Sequence, residues 1–97
     1  MVWIMREKRL ERMLVCAVEK SGGLALKFVS PGMVGVPDRL VLLSGGRVIF
    51  AEVKAPGKKP TALQRLRHDQ LRDLGFRVYV VDSVEQIGGI LREICSS

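Results

Sequence analysis

Glu52 and Lys54 stand two residues apart in the run Val48-Ile49-Phe50-Ala51-Glu52-Val53-Lys54. In an extended strand side chains alternate faces, so both would point the same way. A carboxylate beside an ammonium suits phosphodiester hydrolysis. That reaction needs a hard cation on oxygen donors to polarise the phosphoryl group and acidify a water, and a fixed positive charge where negative charge develops. Glu52 directly follows four apolar residues, so its carboxylate emerges from a largely buried strand, where an unpaired charge is costly and calls for a compensating cation. Asp38, at the start of a neighbouring β-prone run, can reach the same end of that strand. Taken singly these residues have plainer readings. A Glu-x-Lys triplet describes many exposed strand pairs, and aspartate after Gly35-Val36-Pro37 describes many turns.

The elements that would position these groups follow from periodicity and punctuation. From Arg6 to about Lys20, Leu10, Met13, Leu14, Ala17 and Val18 recur at helical spacing and Ser21-Gly22-Gly23 closes the segment. Leu24 to Val29 suits a short strand before a loop from Pro31 to Pro37. Arg39–Leu43 and Arg47–Lys54 read as an antiparallel hairpin joined by Ser44-Gly45-Gly46. After Ala55-Pro56-Gly57 a helix is predicted with the stripe Leu63, Leu66, Gln70 and Leu74, ended by Gly75. Phe76 to Val81 is almost continuously apolar, as a strand covered on both faces would be. A last helix starts at Ser83 with Ile87, Ile90, Leu91 and Ile94 on one side. The order is αβββαβ(α): an α/β domain with a central mixed sheet flanked by helices.

Ninety-seven residues, 47% of them hydrophobic, suffice for one domain spanning 1–97 with a small core. The net charge of +6 favours a polyanionic partner. Between Ala55 and Arg77 the cations Lys58, Lys59, Arg65, Arg67, Arg72 and Arg77 outnumber the anions Asp69 and Asp73, so positive charge follows the candidate site. Cys16 and Cys95 match no metal-ligand spacing and read as free thiols. No signal peptide or membrane span is expected, which gives a cytoplasmic setting by default. His68, the single histidine, reads as a partly exposed helix residue without catalytic duty. Trp3 reads as a packing residue.

Gly35-Val36-Pro37-Asp38, a strand, a glycine hairpin and Glu52-Val53-Lys54 together resemble the PD-(D/E)XK nuclease signature. More narrowly, the chain is similar to the virus-type replication-repair nuclease family, VRR-NUC, in its short stand-alone phage form. The similarity runs through Glu11-Arg12-Met13-Leu14-Val15, Lys27-Phe28-Val29-Ser30-Pro31-Gly32, Gly35-Val36-Pro37-Asp38, Glu52-Val53-Lys54-Ala55-Pro56-Gly57, Gln64 and Leu74-Gly75-Phe76-Arg77-Val78-Tyr79-Val80. No catalytic position departs from it.

The resemblance implies a restriction-endonuclease-like core and a Mg²⁺ or Mn²⁺ ion held by Asp38, Glu52 and the main-chain carbonyl of Val53. Lys54 would orient water and stabilise charge. It also implies a supporting glutamate on the first helix, for which Glu11 matches best, although Glu7 is equally close to the apolar stripe. Gln64 is implied at the catalytic face. Thr61-Ala62-Leu63-Gln64 alternatively fits a helix capping box, and the two roles are expected to exclude each other. Lys27, Lys58, Lys59, Arg65 and Arg72 are the candidate DNA phosphate contacts.

The expected activity is a structure-selective endonuclease on branched DNA in a phage or bacterial host cell, acting in repair, with Holliday junctions as substrate. So short a domain has no separate module for reading sequence, and cutting two strands of a junction requires two sites, which a homodimer supplies. A monomeric flap or nicking nuclease and a catalytically silent DNA-binding module are the alternatives. No membrane or organic cofactor is expected.

Overall fold

The computed structural model describes residues 2–96, and the side chains of Trp3, Ile4, Cys95 and Ser96 lie outside the described part, so the expectations for Trp3 and Cys95 do too. The elements are α1 (Val2–Lys20), β1 (Leu24–Lys27), β2 (Arg39–Leu43), β3 (Arg47–Val53), α2 (Ala62–Asp73), β4 (Arg77–Val81) and α3 (Val84–Ser96). They form one four-stranded sheet in the order β1-β2-β3-β4. The first three strands run antiparallel and β4 lies parallel to β3. This is the mixed sheet and the element order anticipated from the sequence. Gly45 and Gly46 turn the β2–β3 hairpin at φ 81° and 73°, angles that side chains with a Cβ rarely adopt.

The pleat sorts the residues by parity. Val41, Leu43, Ile49, Ala51, Val53 and Val81 point to one face, where they pack against Leu10, Leu14 and Val18 of α1 and Ile87, Ile90 and Ile94 of α3. Even-numbered residues, Phe50 and Glu52 among them, point to the other face. There α2 crosses β4, and Arg72 donates a 2.7 Å hydrogen bond to the Val78 carbonyl. On that face Phe50 stands between Phe28 and Phe76, with ring centroids 5.5 and 5.6 Å away.

Two expectations are corrected. The first strand ends at Lys27 rather than Val29, with the Phe28 amide reaching the Asp38 carbonyl at 2.8 Å as a last rung. More consequentially, the leucine stripe of the second helix does not face the sheet: Leu63, Leu66 and Leu74 are 39%, 49% and 75% exposed. The covered side of α2 runs through Gln64, Arg67, His68 and Leu71, and His68 is its buried residue. Relative to the sequence reading the helix is rotated by about one residue, or ~100°.

This rotation predicts a contrast in stability. Leu66→Gln should change the unfolding free energy by no more than about 0.5 kcal/mol, as surface substitutions do. Leu14→Ala, which opens a cavity under α1, should cost about 2–5 kcal/mol. Urea denaturation followed by circular dichroism measures both.

Candidate active site

Asp38, Glu52 and Lys54 meet at one end of the β2–β3 hairpin. Arg39 pairs with Ala51 and Leu40 with Phe50, so continuing that register by one residue sets Asp38 opposite Glu52. The carboxylate of Asp38 is fixed by the Val53 amide, which donates to Oδ2 at 2.9 Å. Pro37 is buried. The loop before it is pinned to α2, because Arg67 Nε donates to the Val34 carbonyl at 2.8 Å. Gly35, at φ 92°, sits so close to the helix that a Cβ there would come within 3.0 Å of Leu63 Cγ. The Gly35-Val36-Pro37-Asp38 segment is therefore a rigid approach to the site. Lys54 lies just beyond β3, its amide still bonded to the Val81 carbonyl at 2.9 Å, and its Nζ is 3.8 Å from Glu52 Oε2.

Glu52 is 1% exposed. Gln64 Nε2 donates to its Oε2 at 3.2 Å while Gln64 Oε1 accepts the Thr61 amide at 2.9 Å. The capping box and the site contact thus coexist, contrary to the exclusion expected from the sequence. The two ends of a side-chain amide face different ways, and each finds its own partner. His68 Nε2 lies 3.6 Å from Glu52 Oε1, and these two buried atoms have no hydrogen-bond partner. The partly exposed histidine of the sequence reading is in fact enclosed against the central carboxylate. Its position four residues after Gln64, and so above it on one helical face, is the signal that could have found it.

The two candidate helix carboxylates have different surroundings. Glu11 turns to Arg39, whose Nε lies 2.8 Å from Oε2. Parity is the reason, since Arg39 points toward α1 whereas Asp38, one residue earlier, points the other way. Glu7, one turn before Glu11, feels the charges of Asp38 and Lys54. Burial and then the Asp38 carboxylate raise its pKa above the ordinary value, with Lys54 acting against them.

No family model matches the chain. A phage protein named "Putative nuclease p44", from Acyrthosiphon pisum secondary endosymbiont phage 1, is 55% identical over 80 residues, which cover 82% of this chain and 86% of that one. A solved structure described as a VRR_NUC domain superposes with a TM-score of 0.84 at 33% identity, covering 90% of this chain and 95% of the other. The chain belongs to the VRR-NUC family. Its fold is accordingly the restriction-endonuclease-like one.

Electrostatically the centre of this VRR-NUC domain is short of compensation. Burial first, then the charge of Asp38 and a hydrogen bond between the two carboxyl groups, push the pKa of Glu52 up to about 8, although Lys54 pulls it down. Desolvation, followed by Arg72, lowers the pKa of His68 and keeps its imidazole neutral at physiological pH. Among the described residues no cluster of three or more His, Cys, Asp or Glu side chains is placed to hold an ion. The side-chain donors here are two carboxylates, with the Val53 main chain beside them. Hard oxygen donors and a buried carboxylate oxygen lacking a partner fit a small divalent cation such as Mg²⁺ or Mn²⁺.

The candidate DNA cations divide. Lys58 and Lys59 are exposed directly after the site strand, Arg65 is exposed on α2 beside Gln64, and Lys27 is exposed at the end of β1. Arg72 is partly occupied, holding the Val78 carbonyl and lying 3.5 Å from Asp69. No helix among the described residues is long and apolar enough to cross a membrane.

The raised Glu52 pKa fixes a sign. Below its unfolded value of 4.5 the carboxyl is protonated in both states, and its contribution to stability is fully present. As pH rises toward about 8 the unfolded chain has released the proton that the fold retains, so stability falls by about 1.4 kcal/mol per pH unit. The expected result is that metal-free Glu52→Gln melts ~20 °C or more above the native chain near pH 8, while the two converge near pH 5. Scanning calorimetry at both pH values measures the difference.

Proposed function

We propose that this domain is a Mg²⁺- or Mn²⁺-dependent endodeoxyribonuclease that acts as a homodimer on branched DNA, with the four-way Holliday junction as its substrate in repair. The observation that carries the reading is the convergence of Asp38, Glu52 and Lys54 at the end of one hairpin, with the central carboxylate buried and undercompensated. Asp38, Glu52 and the Val53 carbonyl would hold the cation, which when bound polarises the phosphoryl oxygen and acidifies a water. Lys54 stabilises charge at the scissile phosphate and orients the attacking water. Glu7, not Glu11, supplies the supporting helix carboxylate. Gln64 holds the Glu52 side chain while closing the N-terminus of α2.

The substrate class rests on charge. Lys58 and Lys59 follow the site strand and Arg65 follows Gln64, all three exposed, and contacts of this kind read the phosphate backbone rather than base sequence. A dimer is supported by the sheet face that α2 leaves open. There Leu24 and Leu26 of β1 are 54% and 44% exposed, beside half-buried Leu40, Leu42 and Val48, and none of these carries charge. Apolar surface of that kind commonly marks a protein contact.

With labelled four-way junction, flap and linear duplex in Mn²⁺, the native chain should cut the junction in preference. Lys54→Ala and Asp38→Ala should each lose about 10²–10³-fold or more in rate. Glu7→Gln should lose more than Glu11→Gln. Preference for the flap, or cleavage persisting in excess EDTA, would contradict the proposal. Light scattering at micromolar protein should return the mass of a dimer, and a monomer would remove the junction-resolving role. Lys59→Ala and Arg65→Ala should each lower the salt dependence of junction binding by about one unit of log–log slope.

A further inference from the structure

Helix α2 brings two side-chain nitrogens to one carboxylate. Gln64 Nε2 stands 3.2 Å from Glu52 Oε2 and His68 Nε2 stands 3.6 Å from Oε1, so successive turns of the helix address the two oxygens separately. The imidazole is 1% exposed, and its Nε2 and the Oε1 it faces have no other hydrogen-bond partner. Buried polar atoms are almost always satisfied, and leaving such a pair unmet costs more than the bond itself is worth. The gap is only a few tenths of an ångström beyond hydrogen-bond range. The helix also forgoes apolar burial to present this ring, since Leu63, Leu66 and Leu74 stand toward solvent while His68 takes the sheet-facing place.

We propose that His68 is a positioning residue for the cation-binding carboxylate: its Nε2–H holds Oε1 of Glu52 as Gln64 holds Oε2. Each carboxylate oxygen has two lone pairs. One donor on each oxygen fixes the plane of the group and leaves the remaining lone pairs for an ion shared with Asp38. His68 itself touches neither ion nor substrate. The inference rests on the reading of Asp38 and Glu52 as cation ligands and assigns the histidine a task within it. Donors behind a metal ligand commonly change ion affinity about 10–100-fold when removed.

Isothermal titration of Mn²⁺ into the native chain, His68→Gln and His68→Leu tests it. The leucine variant should bind Mn²⁺ about 10–100-fold more weakly, and the glutamine variant, which keeps an N–H, should stay within a few-fold of native. A histidine that only fills space would give two variants of equal ion affinity, whatever their melting temperatures, and that result overturns the proposal. Should the leucine variant not fold, the native chain gives an independent reading. His68 is the only histidine, so a ¹⁵N-labelled ring yields one unambiguous set of signals. The proton should reside on Nε2 and its resonance should move when Mg²⁺ is added. A ring protonated at Nδ1 alone, with shifts indifferent to Mg²⁺, overturns the assignment. A native chain that binds neither ion overturns the cation site and this inference with it. That failure is distinct from one in which the ion binds native and both variants alike.

Discussion

A carboxylate at the end of β3 is kept out of water, and much of the surrounding structure is arranged around that cost. An ionised carboxylate in a largely dry setting must be paired, coordinated or protonated. Glu52 has a lysine at 3.8 Å, an amide donor at 3.2 Å and an imidazole at 3.6 Å, yet Asp38 adds a second negative charge at the same spot. The partners on hand do not neutralise the pair, and the proton that Glu52 retains to about pH 8 measures the shortfall. In the proposed reading a divalent cation would supply what is missing. In the proposed reaction the same imbalance that destabilises the empty fold gives the domain its affinity for the ion, a frequent trade between stability and activity.

The parity of a β-strand separates the tasks of scaffold and site within a few residues. Ala51 and Val53 enter the core beneath α1 and α3 while Glu52, between them, faces α2. On β2 the same rule sends Arg39 toward Glu11 of α1 and leaves Asp38 beside Glu52. A slip of one residue in the hairpin register would put the acids in the core and the apolar residues in the site. Gly45 and Gly46 set that register at one end of the hairpin, and the bond from the Val53 amide to Asp38 closes it at the other.

Most of this was legible in the sequence where one physical rule governed a segment. The two-residue period gave Glu52 and Lys54 a common face, the glycines of Ser44-Gly45-Gly46 announced the hairpin, and the positions Leu10, Leu14 and Val18 gave the buried side of α1. The rule failed on α2, where leucine spacing pointed the wrong way. There the burial of Gln64 and His68 is set by the charge they face, and hydrophobic periodicity is blind to a polar side chain that is buried for its partner's sake. Glu7 and Glu11 were indistinguishable by helical angle for a related reason. What separates their surroundings is the partner that Glu11 meets in Arg39, a fact of tertiary register that no local pattern on α1 contains.

The rotation of α2 also bears on the remainder of the sheet. A helix that packed its leucines inward would have extended the core across the second face. Instead it is committed to β4 and to the site, and the part of that face formed by Leu24, Leu26, Leu40, Leu42 and Val48 stays uncovered by helix. A domain of this size hides only about 60–65% of the surface its extended chain would show, so apolar area left open on one face is a sizeable fraction of what it could bury. Serving the carboxylate with polar residues from α2 thus leaves the fold with a surface suited to association. Two copies joined through it would carry two hairpin ends, and a four-way junction presents two strands to cut.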